Sequence, residues 1–513
     1  MQKRFQTSML ALSIILVLSL LLSACGGSSN KDNAASGSNA AASNNAAGSA
    51  NSGNEKTLEL KVAFLGIGTF KDVADVQDAI SKITKEKLNA TVKLVPIDPA
   101  AWQQQINLQL AGNEPLDLLV TSSAFNYSTQ AAKNQLVVLD DLLEKYGQGI
   151  KDTMPEAIFN GTKINGKIYG VPSVRDTAAD YGFIARKDLL DKYSIDLSTV
   201  KSYADLEPIL KTIKDSEPGV SPIVQRSSTL GIATEMITSQ FDVLGDSLGV
   251  LNLNNNDTKV VNLFDTQEYK DSLALTRKWY QAGYIMKDAA TTQEGNNALI
   301  KAGKGFGYFS NMKPGFEAQE SGIDGHEMAA VRLTKPVSGS ASANIFMISI
   351  PRNTQDENRA MQLMNLMYTN ADIVNLLDNG VEGKHYVAGA NGQIRSVGAD
   401  SGWVFNQWEV GNNALAKVWE GTAPDVWEQM KKFNESSIVS PALGFSFDSS
   451  AVKTEIAAAT NVINQYRAGL DSGSIDPAMV ADFNDKLKAA GLDKIIAEKQ
   501  KQLDAFIAAG AGK

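Results

Sequence analysis

Thiolate or imidazole chemistry has almost nowhere to reside in this sequence. Its 513 residues hold one cysteine, Cys25, and two histidines, His326 and His385. Neither histidine falls in a metal-spaced motif, and His385, within Gly383-Lys384-His385-Tyr386, reads as a structural turn residue. No cofactor and no metal centre is expected. What the sequence offers instead is a set of short segments that place polar groups beside flat or apolar ones. The loop 66–70 contains Thr69, and residues 121–127 end in Phe125-Asn126-Tyr127. Ser173-Val174-Arg175-Asp176 sets a cation beside an anion, and Ser310-Asn311-Met312-Lys313 sets an amide near an ammonium. Arg175 and Asp176 can donate to and accept from neighbouring hydroxyls, while Tyr127, Trp403 and Trp408, with Phe445 as a fourth, supply ring faces. Such groups suit the holding of a polar ligand. Gly66-x-Gly68 lacks a third glycine and a Gly-Lys-Ser/Thr continuation, so it reads poorly as a phosphate-binding turn.

These segments need elements to position them. Residues 57–64 alternate apolar and polar and then run apolar, the pattern of a strand. Asp72 stands where a helix cap would, ahead of Val73, Val76, Ile80 and Ile83 at helical spacing. A second strand over 91–95, a helix marked by Trp102, Ile106 and Leu110, and a short buried strand over 116–120 complete the rhythm of an α/β domain with doubly wound architecture. In open α/β sheets ligands sit beyond the carboxyl ends of strands, where the four segments fall.

The amino terminus is a targeting segment. Lys3 and Arg4 precede an apolar run over 9–22 that is short for a membrane span, and the run ends in Leu22-Ser23-Ala24-Cys25-Gly26. Residues 26–54 are almost wholly Gly, Ser, Asn and Ala, a composition that buries nothing and makes a tether. The remainder exceeds one ordinary core and predicts two or more domains. A net charge of −9 argues against nucleic acid and against an anionic membrane surface.

The spelling around Cys25 resembles the lipobox of bacterial lipoproteins, which implies cleavage after residue 24 and a lipidated thiol. Two or more acyl chains at one site give stable anchoring. Asn165-Gly166-Lys167-Ile168-Tyr169-Gly170-Val171-Pro172, followed by Tyr181-Gly182-Phe183-Ile184-Ala185-Arg186-Lys187-Asp188-Leu189-Leu190, resembles the lobe-crossing signature of extracellular solute-binding proteins that serve carbohydrate ABC importers. An Arg-Lys pair here replaces the family's usual Asn-Lys. Trp403-Val404-Phe405-Asn406-Gln407-Trp408-Glu409, then Pro424-Asp425-Val426-Trp427, then Gly444-Phe445-Ser446-Phe447-Asp448, is similar to the carboxyl-terminal domain, of unassigned function, of a lipoprotein subgroup.

The resemblance implies an α/β, two-lobed periplasmic-binding-protein-like fold with hinge-crossing strands and a helical C-terminal extension. The expected boundaries are 1–24 signal peptide and 25–55 tether, with lobe one formed by 56–172 plus about 328–370. Lobe two takes about 173–327 plus 371–513. Val480, Phe483, Leu487, Ile495, Ile496, Leu503 and Phe506 mark helices there, broken at Gly491. The function implied is capture of a carbohydrate, an oligosaccharide, by lobe closure. Its delivery to ABC permease subunits would follow, by a monomer anchored on the outer face of the cell membrane as Gram-positive-type surface lipoproteins are. A sugar suits the residues: hydroxyls at its edge meet amides, carboxylates and guanidinium, while its C–H faces meet aromatic rings. Tryptophan is more often a core residue than a platform, and Arg175-Asp176 is equally readable as an ion pair. Two other functions stay open. A surface glycoside hydrolase needs only two suitably spaced carboxyls, and the same fold serves peptide binding or a sensor kinase.

Overall fold

Strand Leu58–Leu65 forms where alternation gives way to an apolar run, and its last four residues are all buried. The computed structural model describes residues 56–112, 114–225, 231–255, 257–398 and 401–510. The signal peptide, Cys25 and the tether lie outside the described residues. Helix Val73–Leu88 buries Val76, Ile80 and Thr84 on one face. Asp72 stands at its N-cap without a side-chain capping bond. Its carboxylate is taken up by Lys384 at 3.0 Å and His385 at 3.2 Å, a charged partner outcompeting a backbone amide.

The first lobe is built on a five-stranded sheet. Its order is Ala90–Ile97, Leu58–Leu65, Leu118–Thr121, Met347–Ser349 and Val171–Pro172. The first three strands are parallel, whereas Met347–Ser349 runs antiparallel to both of its neighbours. Pro172, which cannot donate to a ladder, sits in the edge strand. The approach to that strand is a hairpin, Lys163–Ile164 with Lys167–Ile168, turned by Asn165 and Gly166 at φ 51° and 77°. Two successive positive φ values are what a tight hairpin turn requires and what Asn-Gly tolerates.

The second lobe has a four-stranded sheet ordered Met328–Arg332, Asp180–Arg186, Gly305–Met312, Ser221–Ile223. Phe183, Phe306 and Phe309 pack on it with Trp279. Helices Lys453–Asp471, Val480–Ala489 and Leu492–Ala508 share a further core with Phe264, Tyr269 and Leu273. Gly491, at φ 99°, makes the break between the last two helices. No helix among the described residues is long and apolar enough to cross a membrane.

Packing moves two of the expected lobe boundaries. Met328–Arg332 pairs with Asp180–Arg186 and so ends the second lobe instead of beginning the return to the first. Beyond residue 370, Ile373, Leu377, Trp403, Phe405 and Val410 still bury into the first-lobe core. The first shift has one cause. A short strand joins whichever sheet offers a free edge, and linear order does not reveal which edge is free.

Three segments run between the lobes. Residues 173–179 leave the first sheet, residues 333–346 return to it, and residues 436–444 lead to the C-terminal helices. Ala179 bridges to Val337, and Val337–Ser338 pairs with Ile438–Val439. Side chains tie the segments together. Asn434 Oδ1 accepts from Thr177 N at 3.0 Å and Ala178 N at 3.3 Å, and its Nδ2 donates to the Arg175 carbonyl at 2.9 Å. Ser338 Oγ donates to the Thr177 carbonyl at 2.9 Å.

Candidate functional site

The strand directions decide what faces the space between the lobes. In the second sheet Met312 lies opposite Asp180. The end of Gly305–Met312 and the start of Asp180–Arg186 therefore share an edge, which brings Lys313 to the segment that carries Arg175 and Asp176. In the first sheet Met347 lies opposite Thr121, so Phe346, just before its strand, reaches the same edge as Ser122.

Two adjoining cavities of about 660 and 610 Å³ open there, and Arg175, Asp176, Lys313, Gln319, Trp408 and Trp419 line both. Each is of a size that holds a small organic ligand. The smaller has a wall of amides, including Asn296, Asn297, Asn311, Asn406 and Gln407. The larger adds Trp427 and Lys417.

Arg175 grips Asp176 with two bonds, Nε to Oδ1 at 2.9 Å and Nη2 to Oδ2 at 3.1 Å. Lys313 Nζ stands 3.6 Å from the same carboxylate. Burial alone would raise the Asp176 carboxyl, but the Lys313 and Arg175 charges outweigh it and hold the group below its ordinary value. Asp176 is thus an anion. The Arg175 guanidinium lies 6.0 Å from the Phe346 ring, which in turn meets Trp408 at 4.5 Å. Phe346 underpins both site residues from behind.

Two buried carboxyls flank this region. Glu409, next to Trp408, is fully buried and accepts from Leu65 N at 2.8 Å. Burial pushes it up to about 8, against the pull of the Leu65 amide and Asn406. Asp180, at the start of its strand, is pushed up to about 6 by burial although Arg332 lies at 3.2 Å.

Of the residues singled out by sequence, the structure brings together Arg175, Asp176, Asn311 and Trp408. The others lie elsewhere. Tyr127 is a core residue, 2% exposed, whose hydroxyl donates to the Thr162 carbonyl at 2.7 Å. Trp403 is equally enclosed, with Nε1 donating to the Leu377 carbonyl at 2.7 Å and its ring between Phe70 and Phe405. Phe445 is buried against Phe506, with Leu244 and Leu251 in the same cluster. A ring face closed on all sides cannot receive a ligand, so these three are corrected to core positions. Thr69 pairs its strand with Val404. Phe125 is partly buried between Trp102 and Phe346. Asn126 donates to Gln103 Oε1 at 2.9 Å on the exposed surface. None of Thr69, Phe125 and Asn126 lines either cavity. His385 is indeed structural, since its Nδ1 accepts from Val381 N at 2.8 Å.

Sequence reasoning missed Phe346, Trp419 and most of the amide wall. Phe346 precedes an antiparallel strand, so a search confined to carboxyl ends passes it by. Trp419, 37% exposed, bears the one visible signal, a large apolar residue between Lys417 and Glu420.

Comparison with known proteins extends this picture. A domain of unknown function (DUF3502) matches residues 441–508. The sequence is 28% identical to a carbohydrate ABC transporter substrate-binding protein of Streptococcus pneumoniae serotype 4, over 98% of this chain and 99% of the relative. The fold is similar to the crystal structure of an N-glycan transport solute binding protein from Streptococcus pneumoniae, with a TM-score of 0.78 and 27% identity over 88% of this chain and 99% of that one. For crystals of that protein in complex with Man1GlcNAc and with Man5GlcNAc, the TM-scores are 0.69 and 0.65. The model described as bacterial extracellular solute-binding protein matches residues 78–378, more than half of the sequence, and this chain belongs to that family.

Proposed function

We propose that this protein captures an oligosaccharide by closing its two lobes over it and hands it, unaltered, to the membrane subunits of an ABC importer. The observation that carries the reading is the pairing, across one cleft, of accessible indoles with a wall of amides and charged groups. Rings cover the C–H faces of a sugar while amides and the Arg175–Asp176 pair satisfy its hydroxyls. The near full-length likeness to a carbohydrate substrate-binding protein supports the same ligand class. Closure would use the three crossing segments as its hinge.

The outer face of the membrane is the place for such a chain, held there by lipid on Cys25, with the tether letting the lobes reach a permease. The motif at Leu22-Ser23-Ala24-Cys25 supports the anchor. Cys25→Ser should release the protein into the medium.

Calorimetric titration with Man1GlcNAc and Man5GlcNAc, alongside a wider oligosaccharide panel, tests the capture. Saturable binding with a contracted small-angle scattering profile is expected. Absence of heat and of thermal stabilisation with every glycan would sink the proposal. Reducing ends released on prolonged incubation would replace capture with hydrolysis.

A further inference from the structure

The charged groups of the cleft are already paired with one another. Both guanidinium bonds of Arg175 go to Asp176 at 2.9 and 3.1 Å, and Lys313 lies 3.6 Å from that same carboxylate. Lys417, the remaining cation of the larger cavity, is 3.1 Å from Glu382. Among the described residues, then, each lining cation has a carboxylate within ion-pair distance. Carboxylates also outnumber cations in the larger cavity and equal them in the smaller. The larger sets Asp176, Glu317, Glu327 and Glu420 against its three cations. The smaller sets Asp176 and Glu320 against Arg175 and Lys313, beside Asp378, whose carboxyl burial raises well above its ordinary value.

A ligand carboxylate entering this space has two courses. It can pull Arg175 or Lys313 away from Asp176, which leaves a partly buried anion without its partners. Alternatively it can remain unpaired among like charges in a cleft whose water is being expelled. Both courses cost free energy that a hydroxymethyl or N-acetyl group avoids. A neutral sugar accepts from Arg175 and donates to Asp176 without separating them, and the amide wall asks for nothing charged. Discrimination of this kind works by repulsion of the wrong ligand as much as by attraction of the right one.

We infer that the cleft admits neutral oligosaccharides and excludes acidic ones, with Asp176 as the residue that sets this selectivity by occupying Arg175 and Lys313. The inference rests on the carbohydrate reading above and narrows its ligand class.

The test compares Man5GlcNAc with trigalacturonate, a uronic acid oligomer, by calorimetry on the full-length chain and on Asp176→Asn. The wild-type chain should bind Man5GlcNAc and bind trigalacturonate at least about 100-fold more weakly. Asp176→Asn frees two cations, so it should gain at least about tenfold for trigalacturonate, with the gain suppressed at high salt. Wild-type binding of trigalacturonate within about tenfold of Man5GlcNAc overturns the inference. A folded Asp176→Asn protein with no gain overturns it as well, folding being checked by the thermal midpoint. If that variant does not fold, the wild-type preference alone decides. Binding of neither glycan, nor of any other, removes the carbohydrate reading itself, an outcome distinct from acidic binding, which removes only the selectivity.

Discussion

Trp403 and Trp408 stand five residues apart and serve opposite ends of the molecule's needs. Trp403 lies in the two-residue strand Trp403–Val404, where it is buried like Phe405 just beyond the strand, while Val404 is about half exposed. Its indole N–H is satisfied by the Leu377 carbonyl and its ring is enclosed. Beyond Val404 the chain leaves the strand and enters the short turn Gln407–Glu409, and Trp408 lines both cavities with Phe346 behind it. The difference teaches that the course of the backbone, not residue type, separates core from platform here. It also implies that stability and binding are separable within one short segment. The largest effect should come from Trp403→Ala, which deletes a fully packed indole and orphans a buried carbonyl. A loss of about 4 kcal/mol in urea unfolding is expected. Protein that remains folded should bind Man5GlcNAc within about threefold of wild type. A folded Trp403→Ala protein that loses the ligand outright would erase the distinction.

Glu409 sits just beyond Trp408 and sharpens the comparison through pH. Its carboxyl is buried and raised from an ordinary 4.5 to about 8. The folded state therefore holds a proton that the unfolded state has already released. The stabilisation this proton gives is full below pH 4.5 and is lost as pH rises through about 8. Glu409→Gln keeps an acceptor for the Leu65 amide and removes the charge. The variant should match wild type near pH 4 and exceed it above pH 8, by an amount on the order of 3 kcal/mol. Thermal midpoints across that range check it. Asp180 adds a slope of the same sign at lower pH, between its ordinary 3.8 and about 6, and it is common to both proteins. A difference between them that is flat with pH would mean that Glu409 is ionised throughout.

Much of the scaffold was legible because it rests on local rules. The turn at Asn165-Gly166, the first strand and helix, and the terminal helices broken at Gly491 each follow from a period or a turn residue. The crossing segment with Arg175 and Asp176 was legible from its place after a strand. What was hidden is non-local. Met347–Ser349 enters its sheet backwards, so the useful aromatic residue comes before the strand and not after it. Met328–Arg332 chose the second sheet by the availability of an edge. Tyr127 followed a strand as expected, yet the αL turn at Asn126 rotates its ring into the core, where Thr162 accepts its hydroxyl.

Trp408→Ala should act on binding where Trp403→Ala acts on stability. Removing one ring face from the ligand should weaken Man5GlcNAc by about 2 kcal/mol, roughly 30-fold, with the thermal midpoint of the free protein moving far less than for Trp403→Ala. Equal losses of stability in the two variants would mean that Trp408 is also core.

The smallest effect belongs to the opposite wall. Gln319 is exposed on helix Phe316–Asp324, lines both cavities and donates to Glu320 Oε1 at 3.0 Å. Its amide is already solvated, so trading water for a sugar hydroxyl gains little, and Gln319→Ala should cost about 1 kcal/mol, near fivefold. Gln319 and Trp408 belong to different sides of the hinge and face the same cavities. If closure is the binding event, Gln319→Ala should raise the dissociation rate more than it slows association. A variant that changed only the association rate would place Gln319 on the path of entry, outside the closed site.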